Sequence, residues 1–105
     1  MTKYGARRTE YDGRVFASKA EARFAVVVKT REMAGEIADV EYQPSFDLVV
    51  NGVKVGVYRA DFAWREVATG ERVVVDVKGV RLPLFKLKAK LVKAIYGIEV
   101  QEVAA

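Results

Sequence analysis

The segment Arg72-Val73-Val74-Val75-Asp76-Val77-Lys78 holds four valines in seven residues. A β-branched run this short reads as a strand, not a helix. Side chains alternate along a strand, so these valines make both of its faces apolar. Such a strand needs cover on both sides, and the usual answer is a central sheet strand with helices above and below.

The chain supplies two helices for that purpose. Ser18-Lys19-Ala20-Glu21 fits a capping box, in which Ser accepts a backbone N–H and Glu reaches back. Phe24, Val27, Val28 and then Arg31 or Glu32 follow at helical spacing, and Gly35 is a natural stop. Pro83 suits the first turn of a second helix that runs to about Tyr96, with Gly97 after it. Leu84, Leu87, Leu91 and Ala94 or Ile95 make its apolar stripe, while Lys86, Lys90 and Lys93 share another face.

Between the helices the period shortens to two. Val40-Glu41-Tyr42 and Phe46 to Val50 read as strand, with Pro44 marking an edge or bend. Asn51-Gly52 is a hairpin signal, and Val53 to Trp64 reads as the returning strand, with a bulge at Gly56. Thr69-Gly70 turns the chain into the valine strand, and Ile98 to Val103 alternates as a last strand. The expected fold is therefore a single mixed α/β domain of order α-β-β-β-α-β, its mixed central sheet flanked by helices. Residues 18–105 form its core, and residues 1–17 form a basic arm with a short extended piece at Arg14-Val15-Phe16.

Composition narrows the chemistry. The 105 residues include no histidine and no cysteine. Histidine-based triads, cysteine nucleophiles, imidazole or thiolate zinc sites and disulfides are excluded. Any metal must be held by oxygen, which favours Mg²⁺, Mn²⁺ or Ca²⁺. The net charge of +4 suits a phosphate-bearing partner. No run approaches the roughly 20 apolar residues of a membrane span, and no apolar stretch follows Met1-Thr2-Lys3-Tyr4-Gly5 as in a secretory signal. The expected compartment is the cytoplasm, with no membrane partner.

The chemistry-bearing residues sit at the end of the most apolar strand. Asp76 and Lys78, at i and i+2, point the same way. On the neighbouring strand, alternation puts Tyr58, Ala60, Phe62 and Trp64 on one face and Arg59, Asp61 and Ala63 on the other. Asp61 and Asp76 can then meet across the pair. Two carboxylates brought together repel unless a cation lies between them. A hard divalent ion solves that problem, with Asp61, Asp76 and the Val77 carbonyl as ligands. Such an ion activates water and polarises a phosphoryl oxygen, and Lys78 orients the water or stabilises charge building on phosphate. An ordinary salt-bridge cluster at a sheet end accounts for the same spacing.

Asp61, fourteen intervening residues, then Asp76-Val77-Lys78 resembles the signature of the PD-(D/E)XK nuclease superfamily. The order of elements matches that superfamily's restriction-endonuclease-like core. The chain more nearly resembles one branch of that superfamily, small phage-encoded domains long described only as of unknown function. Thr9 to Gly13, Phe16 to Arg23, Ala34 to Ile37, Tyr42-Gln43-Pro44, Ala60-Asp61-Phe62, Val75 to Gly79, Phe85 to Lys88 and Tyr96-Gly97-Ile98 look like its blocks. Ala60 stands where the superfamily motif has proline.

The resemblance implies Mg²⁺- or Mn²⁺-dependent hydrolysis of DNA phosphodiester bonds. It gives Asp61, Asp76 and Val77 as metal ligands, Lys78 as the group assisting water, and Glu21 on the first helix as a further acid. Glu21 equally serves the capping box alone. A basic surface of Lys3, Arg7, Arg8, Lys19, Lys86, Lys90 and Lys93 would contact DNA, though the lysines of the second helix also fit a plain solvated face. The small size favours structure-selective cutting, with a Holliday-junction resolvase acting as a homodimer as the leading form. Two other readings stay open: a nucleic-acid-binding module that keeps the nuclease fold but cuts little, and a structural or interaction domain whose acids form only an ion-pair network.

Overall fold

The computed structural model describes residues 8–78 and 82–104, and of Lys78 only the backbone. In chain order the elements are β1 (Thr9–Tyr11), β2 (Arg14–Phe16), α1 (Lys19–Met33), β3 (Ile37–Tyr42), β4 (Ser45–Val50), β5 (Val53–Arg59), β6 (Phe62–Glu66), β7 (Arg72–Lys78), α2 (Pro83–Tyr96) and β8 (Gln101–Ala104). The main sheet runs β3-β6-β7-β8, antiparallel except for the parallel pair β7–β8. A parallel neighbour needs a crossover, and α2 provides it. With the β1–β2 and β4–β5 hairpins set aside, the order is α-β-β-β-α-β, in a single mixed α/β domain.

Each face of the main sheet is covered by one helix and one hairpin. On one face, Ala22, Ala25 and Val28 of α1 and Phe16 of β2 pack with Phe62, Trp64, Val73, Val75 and Val77. On the other, Val92 of α2 and Phe46, Leu48 and Tyr58 of the β4–β5 hairpin pack with Ala63 and Val74. The valine strand is thus covered on both sides, as its composition requires. Phe62 is fully buried. Burying a side chain of that size contributes about 1.5–3 kcal/mol relative to leaving it exposed.

Several local expectations change. Val53 to Trp64 is not one strand: it breaks at Ala60-Asp61 into β5 and β6. Tyr58 and Ala60 therefore face the α2 side while Phe62 and Trp64 face the α1 side, so the four do not share a face. Hydrogen bonds explain the break. The Ala60 N–H donates to the Pro44 carbonyl at 3.0 Å and the Gln43 N–H to the Asp61 carbonyl at 2.9 Å. Both connections of the hairpin are pinned at one point, where Pro44 has no N–H to continue a ladder.

The helices also turn differently from the expected stripes. Ala22, Ala25 and Val28 face the core of α1, and Val27 is exposed. In α2 the inward residues are Val92, Phe85 and Leu91, while Leu84 and Leu87 are exposed. The first strand of the chain is an addition: Thr9–Tyr11 pairs with Arg14–Phe16 as an antiparallel hairpin that packs on α1. The last strand starts later than expected, at Gln101. Among the described residues no helix is long and apolar enough to cross a membrane.

Candidate active site

Asp61 sits in the two-residue break between β5 and β6. Its backbone N–H donates to the Val75 carbonyl at 3.1 Å. Its carboxylate Oδ2 accepts the Val77 N–H at 2.7 Å. The β6–β7 ladder pairs Phe62 with Val75, so one further step sets Asp61 opposite Asp76. Asp76 follows the alternation of Val74 and points to the α2 side of the sheet, and it is fully buried. The fold thereby ties Asp61 to the stretch of the central strand that holds Asp76. A buried carboxylate there demands compensating charge or hydrogen bonds.

Glu21 caps α1. Ser18 Oγ accepts the Glu21 N–H at 3.1 Å, and Glu21 Oε2 accepts the Ala17 N–H at 3.1 Å. This is the capping box, with its return bond shifted by one residue. The α1 helix lies on the face of Val73, Val75 and Val77, opposite to Asp76. Among the described residues no group of three or more acids is placed to hold a metal ion, so Glu21 does not join Asp61 and Asp76 in one cluster.

Two carboxylates still fit a Mg²⁺-type ion. Such ions commonly take one or two protein carboxylates and complete their octahedron with water and phosphate oxygens. Asp61 keeps Oδ1 outside its bond to Val77. The donor set is all oxygen, as this ion prefers.

The proposed DNA contacts fall into three groups. Lys3 and Arg7 lie outside the described residues, as does the side chain of Lys78. Arg8, Lys19, Lys86 and Lys90 are exposed. Lys93 Nζ lies 3.3 Å from Glu99, which offsets its charge. The two free lysines of α2 are thus Lys86 and Lys90 among those expected on that face.

A family model described as a protein of unknown function, DUF1064, matches residues 1–103. The chain belongs to the DUF1064 family. No curated protein and no solved structure gives a significant match.

The DUF1064 fold brings in residues that spacing could not reveal. Register sets Glu102 of β8 beside Asp76. Lys88 Nζ donates to the Val57 carbonyl at 2.9 Å, tying α2 to β5. Arg31 forks onto Glu66 at 2.9 and 3.1 Å, and the Trp64 indole N–H donates to the same carboxylate at 2.6 Å. These bonds, the arginine first, hold the Glu66 carboxyl below its ordinary value. In this DUF1064 chain the clamp locks the end of α1 to β6, the strand that delivers Asp61. Lys88 and Arg31 give no sequence signal, because their partners are 31 and 35 residues away.

Proposed function

We propose that the chain is a metal-dependent DNA endonuclease of PD-(D/E)XK type, selective for branched DNA. The observation that supports this reading is the bond from the Val77 N–H to Asp61 Oδ2, which ties one acid to the residue between Asp76 and Lys78 in the chain. Asp61 and Asp76 would hold Mg²⁺ or Mn²⁺, with the Val77 carbonyl nearby. A bound ion supplies a water of lowered pKa and polarises the phosphoryl oxygen. Asp61 is oriented for this by its backbone bond, which fixes the carboxylate before any ligand arrives. Lys78 stabilises negative charge on the phosphate during hydrolysis. Lys86, Lys90, Lys19 and Arg8 bind the phosphate backbone without reading sequence.

Holliday-junction resolution by a homodimer is the form of this activity that best suits so small a chain. Two sites related by a two-fold axis can cut two strands symmetrically. A second reading, a nucleic-acid-binding module with the nuclease fold that cuts little, is favoured by the bond that engages Glu21 Oε2 in capping α1.

The deciding experiment incubates linear duplex, single strand, flap, fork and four-way junction with protein and Mg²⁺ or Mn²⁺. Paired symmetric nicks confined to the junction support a resolvase, and sedimentation then tests the dimer. Cutting of flaps or of every substrate keeps the nuclease and removes the resolvase. Salt-sensitive binding without cutting favours the binding module.

A further inference from the structure

On the α1 side of the sheet lies an open cavity of about 260 Å³ lined by Arg14, Val15, Phe16, Tyr42 and Gln43. Its size is below the roughly 300–1,000 Å³ of pockets for drug-sized ligands, so it suits a single ring system. The Arg14 guanidinium carbon sits 3.9 Å from the Tyr42 ring centroid. Behind that ring stand Phe16 and Phe62, with centroids 6.1 and 5.7 Å away. Arg14 is exposed and forms no ion pair among the described residues. It is a cation held in place by an aromatic surface.

Gln43 closes the cavity from an unusual backbone. Its φ of +54° lies in the left-handed region that glycine or asparagine fills at less cost. A strained residue that persists at a cavity wall points to use of its side chain. Its own N–H is bonded to the Asp61 carbonyl at 2.9 Å. Tyr42 is the register partner of Phe62, the residue after Asp61. The cavity wall is thus joined through its backbone to Asp61, the proposed metal-binding acid.

We infer that this cavity binds one unstacked nucleobase of a branched DNA substrate. The base stacks on the Arg14–Tyr42 pair, as bases do on guanidinium and aromatic planes. The Gln43 carboxamide, with one donor end and one acceptor end, bonds the base edge. Unstacking is cheapest at a branch point or a single-stranded junction. The cavity thus accounts for a preference for branched DNA without a separate recognition domain. This inference rests on the nuclease reading above.

The test uses DNA carrying the fluorescent base 2-aminopurine at a branch point or in a duplex interior. Binding is read without added metal, so cleavage plays no part. The expected result is a fluorescence change for the branch-point base only. Arg14→Gln and Gln43→Gly each abolish that change and weaken branched-DNA binding about tenfold, with duplex binding unchanged. Gln43→Gly relieves the positive φ, so its loss of signal is not a folding defect, which thermal melting checks. Branched-DNA binding with the signal intact in both variants overturns the pocket and leaves the nuclease reading standing. Failure to bind any DNA overturns both.

Discussion

Asp61 Oδ2 accepts the backbone N–H of Val77 at 2.7 Å, joining the break between β5 and β6 to the end of β7. The bond has a structural and a chemical half, and two substitutions separate them. Asp61→Asn keeps an oxygen that accepts the Val77 N–H but removes the charge that would hold a metal. Its melting temperature stays near wild type while cleavage is lost. Asp61→Ala also leaves Val77 N–H without its acceptor, which costs about 1–3 kcal/mol of stability. Chemical denaturation of both variants checks the split; equal destabilisation would sink it.

At the neighbouring position, Asp76→Asn should abolish cleavage and leave junction binding largely intact. Lys78→Ala should slow cutting by about 10²-fold or more, as expected for loss of a charge-stabilising group. Single-turnover rates on the preferred substrate measure both. Cleavage surviving Asp76→Asn removes this acid from the mechanism, and an unchanged rate does the same for Lys78.

The α2 lysines divide by their partners. Lys86→Ala with Lys90→Ala should lower the slope of log K against log salt by about 2, one for each lost phosphate contact. Lys93→Ala should have the smaller effect, because Glu99 already engages that charge at 3.3 Å. Fluorescence-anisotropy titrations across a salt series decide between this and a solvated helix face that leaves every slope alone.

The Glu66 clamp predicts an acid limb. Its folded pKa is lowered below the ordinary 4.5, chiefly by the Arg31 hydrogen bonds. The native state then holds the proton less tightly than the unfolded chain. Its contribution is complete above the unfolded value and is lost as pH falls through the folded one. Arg31 and Glu66 are 34% and 25% exposed, so screening keeps the contribution to about 1 kcal/mol. Urea midpoints of wild type and Glu66→Gln should differ at pH 7 and converge toward pH 3. A gap that persists at low pH would contradict the clamp.

Much of the fold was legible because it follows from short-range rules. The Val73–Val77 run, the Ser18–Glu21 cap, the Asn51-Gly52 turn and the Gly97 stop each act within a few residues, and each lies in the expected element. What failed depended on layers. Alternation across Ala60-Asp61 assumes one continuous strand, but Pro44 and Gln43 pull the chain from one face to the other there. The outward turn of Leu84 and Leu87 depends on where α2 meets the β4–β5 hairpin, which no periodicity specifies. The bond from the Val77 N–H to Asp61 Oδ2 was not readable from alternation, which breaks at Ala60-Asp61, whereas the Glu21 cap follows from the Ser18–Glu21 spacing.

The double pinning of the β4–β5 hairpin makes it a graft point. Its two legs are fixed where Ala60 meets Pro44 and Gln43 meets Asp61, while its tip at Asn51-Gly52 is exposed. Lengthening a loop costs only about 0.6 kcal/mol per doubling. A foreign peptide or reporter spliced in at the tip leaves the Asp61 anchor undisturbed. Added sequence at that tip would thus sit a whole hairpin away from Asp61.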